Sequence, residues 1–202
     1  MPCNLSSTSM RSLSCVSVLL AAALVLGACG DVAGLPAALY PNRTDSLVSV
    51  YALTGTPVTS PSGYLIGDRR VVRTDIINAS FDFVFDIDSL GRALLFPTGA
   101  VKLGRQSGAL LQTIPFDSLR FAPSGAYQVD SAIVLTVGSV VALHSRAVQC
   151  SFDYQPAHNY FAKLLVLAID TVPGPNGRRI DLQILTDINC GYRGLEPGLP
   201  RS

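Results

Sequence analysis

The chain contains no tryptophan, only two histidines among 202 residues, and a single glutamate, Glu196. Lys102 and Lys163 are its only lysines, and both methionines, Met1 and Met10, fall within the first ten residues. Helices draw heavily on Glu, Lys and Met, so a chain this poor in them is a poor helix former. Charge of one sign is missing too. Lys and Arg total 15 against 14 Asp and Glu, which leaves no electrostatic footprint for nucleic acid and no broad basic face for anionic lipid. No apolar run reaches the roughly 20 residues that a membrane-crossing helix needs. With 49% hydrophobic residues, the intrinsically disordered class is excluded.

What the chain does have is Val, Thr, Ser, Gly and Pro, with arginine and aspartate carrying nearly all the charge. That mixture favours strands and turns. Ser80–Asp88 alternates most clearly. Phe81, Phe83, Phe85 and Ile87 are expected on one face, with Asp82, Asp86 and Asp88 on the other. The turn Asp88-Ser89-Leu90-Gly91 leads into Arg92–Phe96, which makes a hairpin. A second hairpin is expected from Tyr160–Thr171 and Arg179–Thr186 around the Val172–Gly177 loop. Further strands are expected at Leu47–Leu53, Tyr64–Ile66, Arg70–Thr74, Val101–Leu103, Leu110–Ile114, Ala126–Val129, Ala132–Val137, Val140–His144 and Ala147–Asp153. Ala109–Leu119 has spacing compatible with a helix as well. Short runs broken by frequent turns imply an all-β chain. The expected fold is a single antiparallel β-sandwich, Ig-like or related, with a β-barrel as the alternative.

The N-terminus carries a different signal. Arg11 precedes the apolar run Val16–Leu26, and Leu26-Gly27-Ala28-Cys29 closes it. This segment resembles the lipobox signal of bacterial lipoproteins, and the resemblance covers residues 1–29 only. It implies diacylglyceryl attachment to the Cys29 sulfur, cleavage before Cys29 and acylation of the new amine. The other reading is an ordinary secretory signal cut near Ala28. Met10 is an alternative start, and Cys3 and Cys15 are discarded with the signal under either. Gly30, rather than aspartate, follows Cys29, a pattern that in such lipoproteins points to the outer membrane, facing the periplasm. The expected organisation is therefore a signal at 1–28, a tether at 29–45 and one sandwich domain at 46–202, where length suffices for a single core.

Cys150 and Cys190 are the cysteines left for the folded body, and in an exported protein they are expected to form a structural disulfide. Closing that loop is worth ~4 kcal/mol in the chain-entropy model. A redox pair would favour Cys-x-x-Cys, which is absent. His144 and His158 could join these cysteines in a zinc site, or one another in a haem site. No zinc-ligand spacing is present, and a disulfide consumes both thiols. His158 is expected on an exposed turn.

Neither Gly-x-Ser-x-Gly nor any marked pair of acids is present, so no catalytic residue is assigned. Asp86-x-Asp88-x-x-Gly91 and Asp187-x-Asn189-x-Gly191 resemble fragments of calcium loops but lack the later ligands, and turn chemistry accounts for both. In the tail, Tyr192, Leu195 and Leu199 are expected to pack across the sandwich. No cofactor or metal is expected, and the membrane, through the anchor, is the one partner implied besides an unidentified envelope protein. The expected function is a non-enzymatic binding or structural accessory module. The alternatives are an envelope hydrolase using aspartates or His144, and a carrier of a small ligand such as haem or lipid.

Overall fold

The computed structural model describes residues 35, 37–150, 157–174 and 176–201. Cys29 and the signal segment lie outside them. Among the described residues ten strands form in chain order: β1 (Arg43–Tyr51), β2 (Gly63–Leu65), β3 (Arg70–Val72), β4 (Phe83–Ile87), β5 (Ala93–Pro97), β6 (Gly108–Gln112), β7 (Ile133–Leu135), β8 (Val140–His144), β9 (Phe161–Asp170) and β10 (Arg179–Asp187). They pair antiparallel into two five-stranded sheets, ordered β1-β10-β9-β8-β6 and β3-β2-β4-β5-β7. Neither sheet closes on itself. The fold is an all-β sandwich, and the barrel alternative is excluded.

Alternation along each strand explains why the sheets face one another. Phe83, Phe85 and Ile87 of β4 point inward and meet Ile180, Leu182 and Ile184 of β10, Leu164 and Val166 of β9, and Leu143 of β8. All are essentially without solvent exposure, and Tyr64 stacks on Phe83 with ring centroids 5.4 Å apart. Side chains fill the space between the sheets. The long β9–β10 hairpin carries a bulge where Asp181 pairs with Ala168 but Leu182 pairs with Val166, leaving Leu167 as the extra residue. Edge strand β1 has its own irregularity between Asp45 and Val48, which bends a strand edge that would otherwise be an open template for pairing.

The outer face of the β10-β9-β8 sheet is covered by a second apolar layer. A 3-10 turn at Phe116–Ser118, followed by Leu119 and Ala122, packs with the tail residue Leu195 on Leu185, Ala142 and Val140. Lys163 of β9 sits beneath this layer, only 3% exposed. Its ammonium donates to the carbonyls of Phe116 at 2.7 Å and Leu119 at 3.0 Å and lies 4.5 Å from the Phe116 ring centroid. A charged amine thus pins the strap through two of its backbone carbonyls.

Several sequence expectations need correcting. Phe81 does not share the face of Phe83; it packs outside the sheet with Val72 and Val84, because regular β4 structure starts only at Phe83. Asp82, expected on the solvent side, is 2% exposed. Val101–Leu103 forms turns, since the Ala100 and Lys102 amides bond back to Pro97 and Gly99 and coil the chain before it can extend. The stretch from Ala147 makes one isolated bridge, Val148 to His158, instead of a strand, and residues 151–156 lie outside the described set. Strand β1 begins at Arg43, inside the stretch expected to be tether. Leu195 is buried and Tyr192 nearly so, whereas Leu199 is 61% exposed.

Replacing Phe83 by aspartate places an unpaired charge in the filled interior, opposite Tyr64. The expected result is loss of the cooperative melting transition in circular dichroism. A variant that melts like wild type would refute the inward facing of β4.

Candidate functional site

One end of the sandwich gathers most of the buried polar side chains. There β2, β5, β8 and β10 finish and β1, β4, β6 and β9 begin, so the hydrogen-bond ladders run out and backbone groups need other partners. Asp82, directly before β4, supplies one set. Its Oδ2 accepts from the Ile66 amide at 2.8 Å and its Oδ1 from the Arg146 amide at 2.9 Å. The Arg146 guanidinium stands 3.5 Å away as an ion pair and also bonds Ser80. Burial pushes the Asp82 carboxyl up, while the two amides and the Arg146 charge oppose it. Ser107, before β6, donates to the Asp82 carbonyl and accepts from the Thr98 amide at 3.0 Å.

His144 closes β8 at this end. Its Nδ1 lies 2.9 Å from the Ser145 carbonyl, which can only accept, so Nδ1 carries the proton and Nε2 the lone pair. Burial pushes its pKa down, against the Ser145 carbonyl and the Asp82 charge, which favours the neutral ring. Tyr127 meets it edge-on, with centroids 4.7 Å apart. The ring sits against Gly108, where a Cβ would collide with His144 Nε2 and with Tyr127. The adjacent Ser145 hydroxyl donates to the Arg146 carbonyl at 2.6 Å and accepts from the Tyr160 amide at 2.9 Å. The Nδ1 of His144 thus faces a main-chain oxygen, and the Ser145 hydroxyl is engaged by backbone groups.

Two open clefts flank this region. One, of about 390 Å³, is lined by Asp68, Ser80, Asp82, Ser145, Arg146 and Tyr160. Of its two aspartates, Asp68 bonds Arg70 at 3.0 Å and Asp82 is held as above. The other, also about 390 Å³, is lined by residues including Tyr127, His144, Asn159, Phe161 and Arg193.

Cys150 and Cys190 are bonded to each other here, with Cα atoms 6.0 Å apart, as the sequence implied. The bond joins two irregular segments rather than a strand to a loop. Beside it, Asn189 accepts from the amides of Leu39 and Tyr40 at 2.8 and 2.9 Å and donates to the Tyr40 carbonyl and to Asp187. Asn42 adds bonds from its Nδ2 to the carbonyls of Gly194 and Glu196, and from its backbone amide to the Gly198 carbonyl. Residues 39–42 are thereby clasped to the tail.

The Asp187-x-Asn189 motif is thus a clasp of main-chain and side-chain bonds. Asp86 and Asp88 bond Thr54 and Arg92 around the β4–β5 turn at the opposite end. Among the described residues no three of His, Cys, Asp and Glu are grouped to hold a metal. His158 is half-buried and bridged to Val148 instead of lying free on a turn.

Sequence reasoning missed Asp82, Arg146, Asn42 and Lys163. Only Lys163 left a trace, as one of two lysines and placed within the apolar run Phe161–Leu167. No family model, no curated protein and no solved structure matches the chain.

Asp187 is wholly buried, and its Oδ2 lacks a hydrogen-bond partner. Burial raises its pKa from the ordinary 3.8 to about 6, against the Asn189 bonds and the Arg69 charge. Between those values the folded state keeps a proton that the unfolded chain has released, so stability from this group falls as pH rises through the window. Asp187→Asn keeps a carbonyl for Asn189 and removes the ionisation. Its melting temperature relative to wild type is expected to climb from pH 3.8 to about 6 and then level off. A difference constant with pH would show that Asp187 does not titrate in this way.

Proposed function

We propose that this protein is a bacterial lipoprotein, held by acyl chains on Cys29 and facing the periplasm from the outer membrane, whose body is a non-enzymatic binding or structural accessory module. The support for the anchor is the Leu26-Gly27-Ala28-Cys29 sequence after an apolar run too short to span a bilayer. Two or three acyl chains, at ~0.8 kcal/mol per buried methylene, give a firm hold. No helix among the described residues is long and apolar enough to cross a membrane.

The observation that carries the non-enzymatic reading is the bonding of the buried polar groups. Asp82 and Ser145 satisfy backbone or arginine partners and so hold the ends of strands together, and the Nδ1 of His144 bonds the carbonyl of its neighbour Ser145. A hydrolase would need the serine or the carboxylates held free, in reach of a substrate. A carrier would need an apolar cavity between the sheets, where Phe83, Phe85, Leu164 and Leu182 instead fill the space.

Feeding cells an alkyne fatty acid tests the anchor. The wild-type chain is expected to take up label, to begin at Cys29 after processing and to sediment with membranes, and Cys29→Ala to lose all three properties. An unlabelled, soluble product cut elsewhere would return the segment to an ordinary secretory signal.

A further inference from the structure

We infer that the clasped end of the sandwich rests on the lipid surface, with an apolar rim formed by Leu39, Tyr40, Phe121 and Leu199 seated at the bilayer interface. The inference deepens the proposed function and rests on its lipid anchor at Cys29.

Three observations carry it. The first is where the chain joins the body. Leu39 and Tyr40 are fixed by Asn189, and Asn42 is bridged to Gly198, so the path towards Cys29 leaves from this end and no other. The second is reach. Cys29 and Leu39 are at most about 35 Å apart even with the chain fully extended, at ~3.5 Å per residue. Strand β9 alone, with 10 residues, gives the sandwich a length of about 33 Å. Setting the opposite end on the bilayer would use that whole reach along the side of the body; setting the clasped end there requires no extension at all.

The third is the surface around the exit. Leu39, Tyr40, Phe121 and Leu199 are all exposed large apolar side chains. They are neighbours through the clasp. Gly198, next to Leu199, pairs with Asn42, and Gly194 both pairs with Phe121 and accepts from Asn42. Phe121 and Leu199 line one surface depression together with Glu196, two prolines and Arg201. Leucine, aromatic rings and arginine around an anchoring point are the composition that partitions into the headgroup boundary. The acyl chains supply the hold; the rim supplies the orientation.

The natural chain has no tryptophan, so one introduced indole reports its own depth unambiguously. The test uses the lipidated full chain in vesicles of phosphatidylethanolamine and phosphatidylglycerol, a fraction of them with brominated acyl chains. Leu199→Trp marks the rim. Leu90→Trp, in the exposed turn after β4, marks the opposite end. Flotation with the vesicles is scored first, and bromine quenching is read only on the floated protein.

The expected result is flotation of both variants, a blue-shifted emission from the Leu199→Trp indole, and at least about threefold more quenching in that variant than in Leu90→Trp. Flotation with equal, weak quenching in both variants would overturn the orientation and leave the anchor standing. Failure of both variants to float would overturn the anchor, and the inference with it.

Discussion

The Asp82 carboxylate is the join on which the ordered end of this molecule depends. It lies one residue before β4, accepts from Ile66 one residue after β2, and accepts from Arg146 two residues after β8. The first bond stays within one sheet, whereas the second crosses to the other. Burial makes such a join costly when incomplete and strong when complete, because water cannot substitute for a missing partner. Here both oxygens are met by amides, and a guanidinium stands beside the charge.

The rest of that end reflects the same need. Strand ladders terminate there, and several backbone groups are met by side chains from other parts of the chain. Ser107 meets Thr98, Ser145 meets Tyr160, Asn189 meets Leu39 and Tyr40, and Asn42 meets Gly194 and Glu196. The Cys150–Cys190 bond fastens the same irregular segments covalently. At the opposite end the equivalent link between sheets is made by Arg178, a side chain that reaches Thr54 and Ile87 from the surface. The two ends therefore differ in kind: one is buried, polar and covalently tied, and the other carries the β4–β5 and β9–β10 hairpin turns and the crossings from β1 to β2 and from β7 to β8.

Legibility in the sequence followed locality. Val140–His144 and Arg179–Asp187 emerge as strands because period-2 or continuous apolar patterning is a property of neighbouring residues. The inward facing of Phe83, Phe85 and Ile87 was readable for the same reason, and the disulfide because few cysteines remained to pair. Asp82 was not readable. Its place in the alternation put it outside, and only residues some 16 and 64 positions away turn it inward. Asn42 and Asn189 likewise look like ordinary turn residues until the tail folds back on the start of β1. Val101–Leu103 and the segment from Ala147 had apolar content without a neighbouring strand to pair with, so tertiary context overrode propensity.

The polar residues most suggestive of chemistry are thus occupied in holding the body together, and the functional reading depends on that occupation. The direct measurement is native-state hydrogen exchange at the Ile66 and Arg146 amides. Both are expected to be protected and to open together, at rates close to those of the β4 and β8 core amides, because one buried carboxylate holds them. Free exchange at Arg146 while Ile66 stays protected would mean that Asp82 does not join the sheets, and that its carboxylate is available for other work.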